Sequence, residues 1–265
     1  GIMATKTVSA ATVLKREHRF FFISACIMAF VLVAGFSTNI LFQRSSFAAP
    51  ILYHVHAVAF FGWVVLYLLQ TGLVATGSTR LHKQLGWLAL AWVPAMVVLG
   101  MAITIHVIRA YGGPFFFARD EFLIGNPIGI LTFAAIVLWA IRMRRRTDWH
   151  SRLMLCAMAS ITGPGFGRLL PLPLMMPMAW VISAVVFPAL FIIAGMLRDK
   201  RRVGVIHPAY IWGLALLFGT QIVAEVIAFS PIGRAIGDAV TAGTPGAARR
   251  GLYTPTGPGI PDRRP

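Results

Sequence analysis

The chain has 265 residues, of which 58% are hydrophobic and 12% charged, with a formal net charge of +16. A soluble domain carries about a quarter charged residues, so the composition excludes an ordinary water-soluble enzyme. The basic excess would suit a nucleic acid, but Lys and Arg fall mostly in short connections between long apolar blocks, where they set topology; no nucleic-acid partner is expected.

The apolar blocks are about 20 residues long, the length at which a helix spans the hydrocarbon core. Backbone groups in lipid must be satisfied within one helix or a closed barrel. Barrel strands would alternate apolar and polar residues over about ten positions, and these blocks do not alternate. The expected fold is an all-α membrane protein of seven transmembrane helices, with membrane lipids as its first partners.

In chain order, spans are predicted over 19–41, 52–76, 84–108, 123–142, 151–171, 174–196 and 207–229. Residues 1–18 form an N-terminal arm; Gly1 and Ile2 precede Met3, which reads as the natural start, and look like a cloning remnant. The first apolar block is too long for a signal-peptide core and is read as a retained span. Basic residues alternate by connection. Lys6, Lys15, Arg16 and Arg19 lie in the arm, Arg80 and Lys83 in the second connection, Arg144, Arg145, Arg146 and Arg152 around the fourth, and Arg198, Lys200, Arg201 and Arg202 in the sixth. The intervening connections hold only Arg44, then Arg109 and Arg119 beside Asp120 and Glu121, then Arg168. The positive-inside rule therefore predicts a cytoplasmic N-terminus in a bacterial inner membrane. Residues 19–231 form the seven-helix domain. The segment 232–265 is rich in Gly, Pro and Arg and is expected to be a flexible tail, because it has too little apolar surface to offset its chain entropy. Cys26 and Cys156 read as buried apolar thiols, without disulfide or metal spacing. Trp87, Trp149, Trp180 and Trp212, at span ends, read as interface anchors or packing residues.

Histidines gather at the two ends of the predicted spans. His82, His150 and His207 each open a helix that enters from the cytoplasmic side, while His54 and His56 open the second span and His106 closes the third. Two depths of imidazole suit a b-type cytochrome, which holds haem iron between neutral imidazoles from different helices. On that reading haem b is the candidate cofactor, with His82 and His150 as an inner pair and His56 or His54 with His106 as an outer one. The plain alternative is that histidines at span ends sit among the headgroups, as His18 does before the first span. A third option is a metal held by the three inner histidines.

Two ionisable residues fall inside the predicted bilayer. Arg168 lies 17 residues after Ser151 and Glu225 lies 18 after His207, so both sit about 25 Å in from the same side at 1.5 Å per residue. An unpaired charge there costs several kcal/mol. The expectation is that Arg168 and Glu225 pair or face one polar pocket, extended by Gln221 one turn below Glu225 and by His207 at the start of the same span. Gly163-Pro164-Gly165-Phe166-Gly167 precedes Arg168 and predicts a break or kink in the fifth span.

Several familiar functions fail. A retinal protein needs a Schiff-base lysine in its last helix, and Lys6, Lys15, Lys83 and Lys200 all lie outside the spans. A seven-span zinc hydrolase of the adiponectin-receptor type needs a His-x-x-x-His pair, which the sequence lacks. An ion-coupled transporter would show internal repeats and more polar midplane residues. No catalytic residue is assigned, and no resident metal apart from haem iron is expected.

The segments "HAVAFFGWVVLYLLQT", "RLHKQLGW", "DWHSRLMLCA" through "GRLLP", and "HPAYIWG" together resemble a group of uncharacterised bacterial multi-span membrane proteins over about residues 50–230. The resemblance marks His56, His82, His150, Arg168 and His207 and implies no activity. A looser similarity to cytochrome b561-type proteins implies haem ligands on four consecutive helices, but the predicted fourth span has no histidine. The leading expectation is a small haem redox protein or redox-complex subunit. The alternative is a non-catalytic membrane protein that binds a lipid or small ligand at Arg168 and Glu225, or scaffolds an assembly.

Overall fold

The structure, a computed structural model, describes residues 10–45 and 47–249; Lys6 and the chain beyond Arg249 lie outside that range. The described residues form α1 (Ala10–Leu41), α2 (Ile51–Ala75), α3 (Thr79–Gly86), α4 (Ala89–Tyr111), α5 (Arg119–Arg142), α6 (Thr147–Ser160) and α7 (Gly163–Leu169). After a 3-10 turn at Leu172–Met175 come α8 (Ala179–Val181), a π-helical turn at Ile182–Val186, α9 (Phe187–Val203), α10 (Pro208–Ala228) and α11 (Pro231–Thr241). Six helical stretches are long and apolar enough to cross a bilayer: Lys15–Leu41, Ile51–Ala75, Ala89–Tyr111, Arg119–Arg142, Ala179–Val203 and Pro208–Ala228.

Packing arranges them as a ring with one helix inside it. The helices α1, α2, α4, α5, α10 and α9 follow one another around the bundle, and α7 with the π turn closes the gap between α9 and α1. Helix α6 occupies the middle, against α1, α5, α9 and α10. Its Leu153, Leu155, Cys156, Ala157 and Ala159 are wholly buried. Small side chains make that position available. Gly213 of α10 approaches Cys156 so closely that a Cβ there would collide with the sulfur. In α1 the buried face is Phe21, Ser24, Ala25, Met28, Ala29, Leu32 and Gly35, at helical spacing, while Ile23, Ile27, Phe30 and Cys26 face outward. Cys26 is thus exposed, contrary to expectation: in a helix apolar all round, residue type does not reveal which face meets lipid.

The expected fifth span, 151–171, is two helices. Helix α6 stops at Ser160, and Pro164, which has no N–H, cannot continue the ladder back to the Ser160 carbonyl. Hydroxyls take up nearby carbonyls instead: Ser160 donates to Ala157 at 2.7 Å and Thr162 to Ala159 at 2.7 Å. The same logic explains the π turn, because Pro188 cannot donate to Ala184 and the helix is wound wider just ahead of it. The third span also starts later than expected. It begins at Ala89, because Thr79–Gly86 forms the separate helix α3, reached through Gly77 at φ +86°, a conformation that suits glycine.

Over 231–248 the chain forms α11 and a 3-10 turn at Pro245–Ala248, packed where composition predicts a flexible tail. Ser230 caps α11, its side chain accepting from the Gly233 N–H, and Pro231 supplies a preset first turn. Burial comes from glycine: Gly237 lies flat against Arg119 and Asp120, and Gly246 against the Ile108 carbonyl. Arg249 reaches back to donate to the carbonyls of Gly112 at 3.0 Å, Gly113 at 2.7 Å and Pro114 at 2.6 Å, and also to Phe117. The segment thus caps the α4–α5 loop through polar contacts rather than apolar area.

Ion pairs tie the bundle at the end that carries α3. Arg152, only 7% exposed, meets Asp199 of α9 at 2.7 and 3.2 Å and Glu17 of α1 at 2.9 Å. It also donates to the Asp148 carbonyl at 3.0 Å and lies over the Tyr210 ring. One guanidinium therefore joins α1, α6, α9 and α10. Asp199→Ala should lower the unfolding free energy in detergent by about 3 kcal/mol, the usual cost of stranding one partner of a buried pair. An unchanged thermal midpoint would show that Glu17 and the Asp148 carbonyl suffice for Arg152.

Candidate functional site

The α3 end is rich in base, with Arg80, Lys83, Arg144, Arg145, Arg146, Lys200, Arg201 and Arg202 exposed there. Helix α3 places His82 inward from this rim, and the first turn of α6 places His150 opposite it. Their ring centroids are 6.2 Å apart with planes at 74°. The His150 Nδ1 lies 2.8 Å from the Ala140 carbonyl. That contact fixes Nδ1 as the protonated nitrogen of a neutral ring and leaves Nε2 with its lone pair. His82 lies beside the Gln70 backbone carbonyl, yet its Nδ1 is buried without a partner, as is the Gln70 side-chain Oε1. Gly86, one turn along α3 from His82, leaves its Cβ position 3.6 Å from Gln70 Nε2.

His207 belongs to the same end but not to this pair. Its Nδ1 accepts from the Ala209 N–H and caps α10, and its Nε2 contacts Asp148 at 3.1 Å while the ring stands against Trp149. With His207 so engaged, the three inner histidines form no joint metal set, and no group of three potential ligands exists among the described residues.

At the opposite end the expected outer histidines separate. His56 stacks on Phe60 at 4.1 Å, His106 stands edge-on to Tyr53 at 5.6 Å, and His54 contacts the Phe47 carbonyl at 3.1 Å. The structure does not bring His106 and His56 together as an imidazole pair.

Arg168 and Glu225 also lie apart. Arg168 donates to the Pro164 carbonyl at 2.8 Å and lies 3.9 Å from the centroid of the Phe36 ring on α1. Glu225 is half-buried on α10 and makes no ion pair among the described residues. Counting residues from Ser151 treats the segment as one rod, whereas the break at Ile161–Thr162 lets α7 pack on α1 instead. Gln221 accepts from Trp180 Nε1 at 3.1 Å rather than extending a network to Arg168. Trp180 itself is a buried core residue of that end, packed on Phe117 and Phe122, not an interface anchor.

Sequence reasoning missed the ion cluster that replaces the expected one. Arg119, 2% exposed, contacts Asp120 at 2.7 Å and Asp238 of α11 at 2.8 Å. Its signal was present: Asp238 is a lone acid amid glycine and alanine, and such a carboxylate near a span end invites a buried arginine.

These features define a multi-pass α-helical membrane protein. Compared with known proteins, the chain matches no family model, no curated protein and no solved structure.

His82 lies outside the spanning helices, and burial, reinforced by His150, holds its pKa below the ordinary 6.5. The folded state therefore favours neutral His82, so this contribution is complete above pH 6.5 and declines as acid protonates the ring. Wild type should lose more thermal stability between pH 7.5 and 5 than His82→Asn, compared in one detergent; parallel curves would remove His82 from the acid response.

Proposed function

We propose that this protein is a small membrane redox protein, or a subunit of a redox complex, that holds one b-type haem between His82 and His150. The observation that carries this reading is the 6.2 Å spacing of the two rings. Two imidazoles on one metal, with bonds of about 2 Å and about 1 Å from each nitrogen to its ring centre, stand about 6 Å apart. The donor chemistry also fits. Both nitrogens are neutral donors from different helices, and the Ala140 carbonyl orients His150 as outer partners orient metal-bound histidines. The unpartnered Nδ1 of His82 is a buried lone pair or N–H that a bound group would engage.

The haem would supply one-electron transfer, and the chain's own residues would hold and tune it. His82 and His150 would hold it at the end of the bundle. Arg80 and Lys83 on α3 and Arg144, which lies over Trp87 at 5.4 Å, offer cations for propionate carboxylates at the headgroup level. One haem is favoured over two, because His56 and His106 are engaged with Phe60 and Tyr53.

The same reading takes the basic end as cytoplasmic in a bacterial inner membrane, with α6 and α7 together making a broken seventh crossing. A reporter fused after Arg202 should then be active in the cytoplasm and silent in the periplasm. Protein purified from haem-replete cells should show a Soret band and dithionite-reducible α-bands. His82→Ala and His150→Ala should each abolish them, whereas His54→Ala, His106→Ala and His207→Ala should keep them. Folded wild-type protein without a Soret band would sink the proposal.

A further inference from the structure

The corner where α1 ends and α2 begins carries cations without acids. Arg168 leans on it from α7. Its Nη1 is used by the Pro164 carbonyl, its plane lies on Phe36 at 3.9 Å, and its Nε is buried with no hydrogen-bond partner. No carboxylate pairs with it among the described residues. His56 lies within electrostatic reach of this guanidinium, its ring fixed against Phe60 at 4.1 Å and its Nδ1 also buried and unpartnered. The acids of this end are committed elsewhere: Asp120 and Asp238 to Arg119, and Glu121 to the Ala118 N–H. Glu225 lies on α10, away from α1 and α2 in the ring.

Depth and surroundings narrow the kind of anion that fits these donors. Phe36 stands five residues before the end of α1 and His56 five after the start of α2, which places both about 7.5 Å below the helix ends. Above them Leu41, Phe42, Phe47 and Ile51 are exposed apolar residues, and Arg44 lies over Phe42 at 5.3 Å. Apolar surface topped by Arg44, with orphaned polar atoms just beneath, matches the boundary between acyl chain and headgroup. A guanidinium with a free Nε presents a directed donor for a phosphate oxygen. The imidazole Nδ1 serves as a second donor or acceptor according to its tautomer.

We infer that Arg168 and His56, with Arg44 at the rim, bind the phosphate of one membrane phospholipid whose acyl chains lie along the exposed apolar corner. The site is remote from His82 and His150 and does not rest on the haem reading.

The test uses the full-length protein in detergent, delipidated and then titrated with phosphatidylglycerol micelles, with bound lipid counted by native mass spectrometry. Wild type should retain about one phospholipid after annular lipids are stripped. Arg168→Gln should weaken that binding about tenfold or more, the scale of one lost charge-assisted hydrogen bond. Arg168→Lys, which keeps the charge but lacks Nε, should also lose affinity, and His56→Phe should lose less. If Arg168→Gln fails to fold, Arg168→Lys and His56→Phe carry the comparison. Wild type without a retained phospholipid, or folded variants that all bind as wild type does, overturns the inference. Displacement of the lipid by excess inorganic phosphate alone also overturns it, since the site would then serve the free anion.

Discussion

A charge held away from water must find its counterpart inside the protein, because hydrocarbon offers none. This chain has only eight acidic residues, and their placement organises the whole bundle. Asp199 and Glu17 hold Arg152, the Asp148 side chain contacts His207, and together they bind four helices at the basic end. At the other end Asp120 and Asp238 hold Arg119, while Glu121 caps the start of α5. With so few acids and so many bases, any cation that reaches the interior without an acid stands out. Arg168 is such a cation.

The buried position of α6 follows from the same constraint. Its 14 residues are too few to cross a bilayer alone at 1.5 Å each, and its carbonyl end is broken by Pro164. Such a segment is stable at membrane depth only when protein surrounds it. The ring of α1, α5, α9 and α10 does so, and the tight fit of Cys156 against Gly213 shows how little room is left. His150 inherits that rigidity. Anchored by the Ala140 carbonyl on α5 and by the core helix beneath it, the ring is held in one orientation, whereas His82 rides on the short surface helix α3.

How much of this was legible depended on which physical signal each element used. Apolar blocks announced seven spans, and six of them correspond to helices long and apolar enough to cross, with ends up to seven residues from those expected, because length against bilayer thickness is a strong constraint. Depth placed His82, His150 and His207 at one level, since each sits near the start of a helix entering from one side, but could not show which two of them meet. Depth failed for Arg168 and Glu225, because one proline redirected α7 onto α1 and axial counting cannot see a change of direction. Helix α11 was hidden for a different reason. Its packing surface is Gly233, Gly237 and Thr241, and its bonds run from arginine to carboxylate, hydroxyl and carbonyl; composition scores such a segment as tail. The exposed position of Cys26 was illegible because α1 is apolar on every side.

Helix α2 joins the two ends. His56, Trp63 and Gln70 are spaced by seven residues, which returns each to nearly the same face, drifting about 20° per step. Each carries a buried polar atom without a hydrogen-bond partner, and the span from first to last is about 21 Å. At the top of this stripe stands Arg168, and at the bottom His82 and His150. Three unsatisfied groups on one helix face are not explained by packing, because each costs free energy that an apolar residue of similar size would not. Trp63 makes the point most sharply: its ring is spent on Phe133 at 5.2 Å, an apolar contact that phenylalanine would make equally well, yet it brings a buried indole N–H into the core. The stripe therefore sets a polar lane along α2 between the cationic corner and the histidine pair.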